Sequence, residues 1–249
     1  MPEQFDIAVI GGGPAGAATA IRAARGGARV VVFEKGPHGR DKVCGDGLTP
    51  RAVAALHVLD IALDGAHRID GLRMIAGRKV RELPWPVGGR FPNHGAVWPR
   101  RRLDAALIDA AAAAGADIRF STEAEPVLDG HGRVTGVTTA HGRVDAGLVV
   151  AAGGAPGAVA RMLGADRVAA EPHGLAIRAY VESPRHADRH LEACLTIRDE
   201  HGTWVPGYGW MFPCGDGTVN IGVGALSTMR GFKSLNLNRL LDSYRALVA

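Results

Sequence analysis

The 249-residue sequence predicts an α/β fold in which a parallel, helix-crossed sheet is interleaved with a mainly antiparallel β part. Three observations predict it. DIAVI (6–10) and RVVVFE (29–34) are short β-branched runs, the pattern of strands buried on both faces. Between them GGGPAG (11–16) leads into ATAIRAARGG, small residues that read as a helix ending at Gly26-Gly27. Beyond residue 124, alternating segments punctuated by glycine turns read as antiparallel strands.

Composition bounds what such a chain can be. Charged residues make up 22% and apolar ones 47%, an ordinary globular balance with enough apolar side chains for a sizeable core. The net charge of +4 is spread along the chain, and its one basic run, Arg100-Arg101-Arg102, is too short to argue for nucleic acid. Anionic groups such as phosphate suit this charge better. Cys44, Cys194 and Cys214 show neither C-x-x-C nor metal-ligand spacing, so a disulfide framework is not expected and a reducing cytoplasm fits. The first residues show no secretory pattern, and no apolar stretch is long enough to span a bilayer.

The N-terminal unit has the order that binds dinucleotides. Gly11 allows a tight turn, Gly13 lets backbone approach a diphosphate, and Gly16 lets the helix pack close to the sheet. The diphosphate then sits at the positive end of the helix dipole. Glu34, at the end of the second strand, is placed to accept from a ribose 2′-OH and would repel a 2′-phosphate. These mechanics favour FAD or NAD over NADP and leave the choice between the first two open.

Next comes RDKVCGDGLTPRAV (40–53), a glycine-bracketed loop leading to Pro50 at the start of a helix. GGGPAG, RDKVCGDGL and the distant PGYGWMFPCGDGTVNIGVGAL, in that order, resemble the geranylgeranyl reductase family of FAD-dependent enzymes. Their wording is closest to the actinobacterial menaquinone reductases, which saturate a double bond in the quinone's isoprenoid tail. The resemblance implies FAD held extended by a glutathione-reductase-like Rossmann domain, residues 1–72 and 99–168. A mainly antiparallel substrate domain, residues 73–98 and 169–249, is implied to house a polyprenyl chain. Carried over by position, Gly11, Gly13, Pro14, Ala15, Gly16, Glu34 and Lys35 would serve the nucleotide half. Cys44, Gly45 and Gly47 would lie near the flavin ring, Arg100 at the cofactor, and Ala124 near the adenine. Leu103, Leu107 and Ala111 independently read as the apolar face of a helix running to about Ala114.

EPVLDGHGRVTGVTTAHGRVDAGLVVAAGG (125–154) reads as a three-strand meander ending in LVVAA, a buried strand that rejoins the parallel sheet. In GGAPGAVARMLG, Gly153 and Gly157 stand where many similar flavoproteins carry Asp and Ser, which argues against a nicotinamide-handling role there. GLAIRAYVES (174–183) and LEACLTIRDE (191–200) read as strands joined by PRHADRH. His186 and His190 have the spacing of a helical metal pair, but Pro184 and the charged neighbours mark an exposed connection, so no metal is expected.

Tyr208, Trp210 and Phe212 alternate along one strand, which puts three rings on one face as the candidate wall for a greasy substrate. Gly207 and Gly209 are expected to leave room there for the ligand against the backbone. Asp216-Gly217 reads as a hairpin turn, not as a cofactor segment. The closing SLNLNRLLDSYRALVA has helical spacing and stops mid-pattern, so the chain reads as truncated and is expected to hold FAD less tightly than a longer relative. The leading expectation is reduction of an isoprenoid C=C bond, with Cys44 and Tyr208 as candidate proton donors and an unspecified external electron donor. An FAD-dependent aromatic monooxygenase or halogenase, and an inactive flavoprotein fragment, are the rival readings. A lipid substrate implies peripheral membrane contact, on the inner face of the plasma membrane.

Overall fold

The computed structural model describes residues 3–154, 157–165, 168 and 171–248. From the N-terminus, β1 (Glu3–Ile10), α1 (Pro14–Arg25) and β2 (Val30–Phe33) form the expected strand–helix–strand unit. There follow β3 (Gly47–Leu48), α2 (Pro50–Val58), β4 (His67–Ile69), β5 (Gly71–Ala76), β6 (Lys79–Pro84) and β7 (Gly95–Val97). Next come α3 (Arg100–Ala113), β8 (Asp117–Arg119), β9 (Ala124–Leu128), β10 (Val134–Thr139), β11 (Gly142–Ala151) and α4 (Ala158–Met162). The last stretch carries β12 (Gly174–Glu182), β13 (His190–Cys194), β14 (Gly207–Pro213), β15 (Thr218–Leu226) and α5 (Leu237–Val248).

The chain divides into two compact units, residues 1–41 with 101–169, and residues 42–100 with 170–249. Residues 42–72, assigned from sequence to the cofactor domain, group by contact with the second unit. The cause is pairing: β3 and β4 flank β7 in a three-stranded sheet, and β5 joins the large sheet of that unit.

The first unit is built on a six-stranded sheet of order β8-β2-β1-β11-β10-β9. Strands β8, β2, β1 and β11 are parallel, and β10 and β9 complete an antiparallel meander, so LVVAA does rejoin the parallel sheet. Ala8, Ile10, Val31, Phe33, Val137 and Val144 form the core of this sheet. The predicted face of α3, Leu103, Leu107 and Ala111, is buried.

The second unit carries a six-stranded sheet of order β12-β15-β14-β13-β5-β6, antiparallel except where β13 runs parallel to β5. Helix α2 starts as its sequence demands, with Thr49 Oγ1 accepting from the Ala52 N–H and Pro50 in the first turn. Helix α5 lays Leu240, Leu241 and Tyr244 into a core with Met211, Ile221 and Val223. Asp216-Gly217 lies in the hairpin between β14 and β15, as read from sequence.

Two expectations change here. A Cβ on Gly209 would fall 2.6 Å from the Tyr244 ring, and one on Gly207 would fall 2.2 Å from the Gly224 carbonyl oxygen. The room beside these glycines is therefore filled by α5 and by the neighbouring strand, not reserved for a ligand. LEACLTIRDE leaves the sheet after Cys194, and its remainder turns back through a bridge between Arg198 and Trp204.

PRHADRH is a half-buried ionic junction instead of a free loop. Arg73 on β5 meets Asp188 and Glu82, and Arg185 Nη2 lies 2.6 Å from Glu192, which is 2% exposed. Partial burial pushes the Asp188 carboxyl up, but the Arg73 hydrogen bonds and charge outweigh this and hold it at about 2. A depressed carboxyl stabilises the fold above its unfolded value, near 4, and that contribution is lost as pH falls through about 2. Arg73→Met should cost about 3 kcal/mol at pH 7, because it strips a partner from Asp188 and, at 3.5 Å, from the buried Glu192. In urea unfolding, its deficit against wild type should shrink between pH 4 and pH 2; a pH-independent deficit would mean the loss is packing alone.

Candidate functional site

In the first unit the glycine loop is shaped by close approach. Gly11 has φ +109°, and a Cβ there would lie 2.5 Å from the Ala152 carbonyl oxygen. A Cβ on Gly16 would lie 1.8 Å from the Gly11 carbonyl oxygen and 3.1 Å from Val9 Cγ1, so α1 packs directly on the turn and on β1. Gly13 is the N-cap of α1, and no side chain caps it. Pro14 occupies the first turn, which contains no acidic residue. An N-terminus of this kind offers backbone N–H groups to an anion without competition from the chain, and these residues fit a diphosphate. Ala15 is exposed in that turn and Lys35 is exposed beyond β2, while Ala124 has its side chain in the core.

Glu34 is buried and heavily bonded. Its Oε2 accepts from the Gly12 N–H at 2.8 Å and from Arg40 Nη2 at 3.1 Å. Its Oε1 accepts from the Gly36 N–H and from Arg40 Nε, both at 2.9 Å. Burial raises the carboxyl, but Arg40 and the two N–H groups together hold it below the usual carboxylate range. A carboxylate has about four acceptor sites, and all four are engaged here. A ribose hydroxyl would therefore reach Glu34 by replacing Arg40, a partner that sequence spacing did not reveal.

In the second unit, strand register creates a second site. Phe212 pairs with Asn220 and Asn220 with Tyr180; Trp210 pairs with Gly222 and Gly222 with Arg178. Tyr208 pairs with Gly224, and Gly224 with Ala176. Directly paired residues point to the same face of a sheet, so one face shows three rings, a glycine lane and then Ala176, Arg178 and Tyr180. The rings follow one another at 5.6 Å and 6.3 Å between centroids. Trp210 lies across Gly222, where a Cβ would fall 2.1 Å from its Cζ2. Trp210 is 5% exposed and Tyr208 46%, so the row passes from buried to open.

The Cys44–Gly47 loop rests on the Phe212 end of this face. Cβ atoms on Gly45 and Gly47 would come within 2.9 Å and 3.0 Å of the Phe212 ring, which explains both glycines. Cys44 Sγ faces its own loop and accepts from the Asp46 N–H at 3.4 Å. Asp46 is 1% exposed and sits at φ 64°, an uncommon conformation for a residue other than glycine. Its carboxylate accepts from Tyr180 Oη, from Asn220 Nδ2 at 2.8 Å and from the Arg100 N–H at 3.2 Å. Asn220 also donates to the Cys44 carbonyl at 2.8 Å and accepts from Trp210 Nε1 at 3.0 Å. Burial pushes the Asp46 carboxyl above its ordinary range, against the opposing pull of these hydrogen bonds and of the Arg178 charge.

Structure thus joins Cys44, Gly45, Gly47, Trp210 and Phe212 in one cluster and brings Arg100 to it through its backbone, with Tyr208 at the open end. Sequence reasoning missed Tyr180, Asn220 and the buried role of Asp46. No signal was present for Asn220: it falls on the non-apolar side of the alternation in TVNIGVGAL, and only the structure shows that this side is buried there.

Comparison with known proteins bears on both sites. The FAD binding domain family matches residues 4–215. A curated relative from Mycolicibacterium smegmatis, "Menaquinone reductase", is 42% identical over 99% of this chain and 61% of its own length. "Digeranylgeranylglycerophospholipid reductase" of Thermoplasma acidophilum is 30% identical over 90% of this chain and 57% of its own. Among solved structures, a geranylgeranyl bacteriochlorophyll reductase-like protein from Thermoplasma acidophilum superposes with TM-score 0.77 at 26% identity, covering 98% of this chain and 62% of that one. The myxobacterial chondrochloren halogenase superposes with TM-score 0.75 at 21% identity, over 99% of this chain and 57% of its own, a likeness of fold alone. The chain thus spans about three fifths of the length of the curated relatives it matches.

Proposed function

The chain belongs to the FAD binding domain family, and from that premise we propose that it works as an FAD-dependent reductase of isoprenoid C=C bonds. The isoprenoid tail of menaquinone is the proposed substrate. One observation carries the proposal: the sheet face of Tyr208, Trp210 and Phe212 beside the glycine lane of Gly222 and Gly224. Gly222 lets the Trp210 indole lie flat on the sheet, and a flat aromatic wall suits an extended polyprenyl chain, which offers methyl groups and alkenes but nothing to hydrogen-bond. The names of the similar reductases support the same reading.

Gly11, Gly13 and Gly16 would hold the cofactor's diphosphate at the N-terminus of α1, with Glu34 at the ribose once Arg40 gives way. When bound and reduced, FAD supplies the hydride. This chain's residues have three other tasks: to orient the tail, to keep water from it and to hold a proton for the second alkene carbon. Among the described residues no helix is long and apolar enough to cross a membrane.

The test is anaerobic. Protein loaded with FAD and reduced with dithionite should add two hydrogens to the menaquinone tail, read by mass spectrometry. A requirement for oxygen, with a gain of one oxygen atom, would move the assignment to a monooxygenase. Absence of a yellow complex on FAD titration would remove the cofactor premise for this chain.

A further inference from the structure

We infer that Tyr180 is the proton donor of the proposed reduction and that Asp46 holds and resupplies its proton; the inference rests on the reductase reading above. Neither Cys44 nor Tyr208 has comparable geometry. The Cys44 sulfur is turned into its own loop by the Asp46 N–H. Tyr208 stands 46% exposed at the open end of the aromatic row.

Tyr180 differs on each point. It lies in the cross-strand row Tyr180–Asn220–Phe212, so its ring shares the sheet face of the proposed substrate track. It is 36% exposed, so part of the side chain is open to solvent, while its oxygen touches the buried Asp46 carboxyl. Arg178 lies 4.4 Å above its ring, on the same strand. That cation steadies the ring and would stabilise negative charge left on the oxygen after a proton departs.

Asp46 is held as a proton reservoir would be. Asn220 and the Arg100 N–H fix its carboxyl in place, and the loop strain at φ 64° is maintained by these bonds. The charged and titratable groups facing it are Tyr180 and Arg178 from β12, Cys214 after β14 and Cys44 in its own loop. With the carboxyl protonated, its O–H donates to the phenol oxygen, and the phenol's own hydrogen turns toward the track.

The step balances as follows. Bound, reduced FAD would supply a hydride to one alkene carbon and be oxidised in doing so. The π electrons form the second C–H bond with the Tyr180 proton. The phenolate takes the Asp46 proton, and solvent reprotonates the carboxylate between turnovers. Once Asp46 ionises, the phenol donates inward to it, so the rate should fall as pH rises through that ionisation.

Tyr180→Phe and Asp46→Asn test this in FAD-loaded protein. Tyr180→Phe keeps the ring and its contact with Arg178. It should retain FAD and accept electrons from dithionite, yet lose tail saturation by about a hundredfold or more. Asp46→Asn should slow saturation about tenfold and remove the falling alkaline limb from the pH profile. A second readout needs no turnover. With tyrosine labelled at Cζ, the NMR signal missing from Tyr180→Phe should shift as Asp46 titrates in wild type and stay still in Asp46→Asn. A Tyr180→Phe variant within threefold of an active wild type would defeat the donor role alone, as would a Tyr180 signal indifferent to Asp46. A wild-type protein that loads FAD but never saturates a tail would defeat the reductase reading and the donor role with it.

Discussion

Gly16→Ala should leave the purified chain unable to retain FAD. The added Cβ would lie 1.8 Å from the Gly11 carbonyl oxygen, 3.0 Å from its carbonyl carbon and 3.1 Å from Val9 Cγ1. The first two are backbone atoms of the turn itself, so no rotamer change relieves the clash. Either α1 moves off β1 or the turn opens, and both displace the N–H groups that would meet the diphosphate. Overpacking of a core commonly costs about 1–3 kcal/mol, and collision with backbone belongs at or above the upper end. The expected outcome is a loss of about 3 kcal/mol in urea unfolding and at least a hundredfold weaker FAD binding, followed by flavin absorbance. Gly153→Ala is the control in the same unit, since a Cβ there meets nothing within 4 Å among the described residues. It should stay within about 0.5 kcal/mol of wild type. If Gly16→Ala binds FAD as the control does, the helix terminus is not the diphosphate site.

Gly222→Ala should have the second-largest effect, and on the other unit. Its Cβ would fall 2.1 Å from Trp210 Cζ2 and 2.4 Å from Cη2, so the indole must leave the glycine lane. Leaving breaks the bond from Trp210 Nε1 to Asn220 Oδ1. A buried acceptor left unsatisfied costs about 1–3 kcal/mol beyond the packing loss. A total near 3 kcal/mol is expected, with a red-shifted tryptophan emission and a tenfold or greater drop in tail reduction. Gly209→Ala is the informative partner, because it strikes Tyr244 on the opposite face of the same sheet. It should destabilise comparably while leaving the Trp210 emission in place. Tail reduction that survives Gly222→Ala unchanged would mean the aromatic row is core and not the wall of the track.

How much was legible beforehand depended on the range of the interaction. The glycine loop, α1 and β2 were readable because their logic is mostly local: Gly16 packs on Gly11 and Val9, while the approach of Gly11 to Ala152 came only from the sheet. The three-strand meander and the β14–β15 hairpin were readable for the same reason, from turn residues between alternating runs. Gly209 was misread because its partner, Tyr244, lies on a helix far along the chain. Glu34 was placed correctly at its strand end, yet its occupation by Arg40 depends on how the following loop folds back.

By itself the sequence determined the strand–glycine–helix unit and the aromatic alternation of Tyr208, Trp210 and Phe212. Those follow from backbone sterics and period-two alternation, which act between near neighbours. Only the tertiary structure decided that Asp46 meets Tyr180 and Asn220, residues from two separate strands. Cross-strand register sets which side chains share a face, and register comes from the packing of the whole sheet. A single strand can show that it has two faces, but not what stands opposite either one.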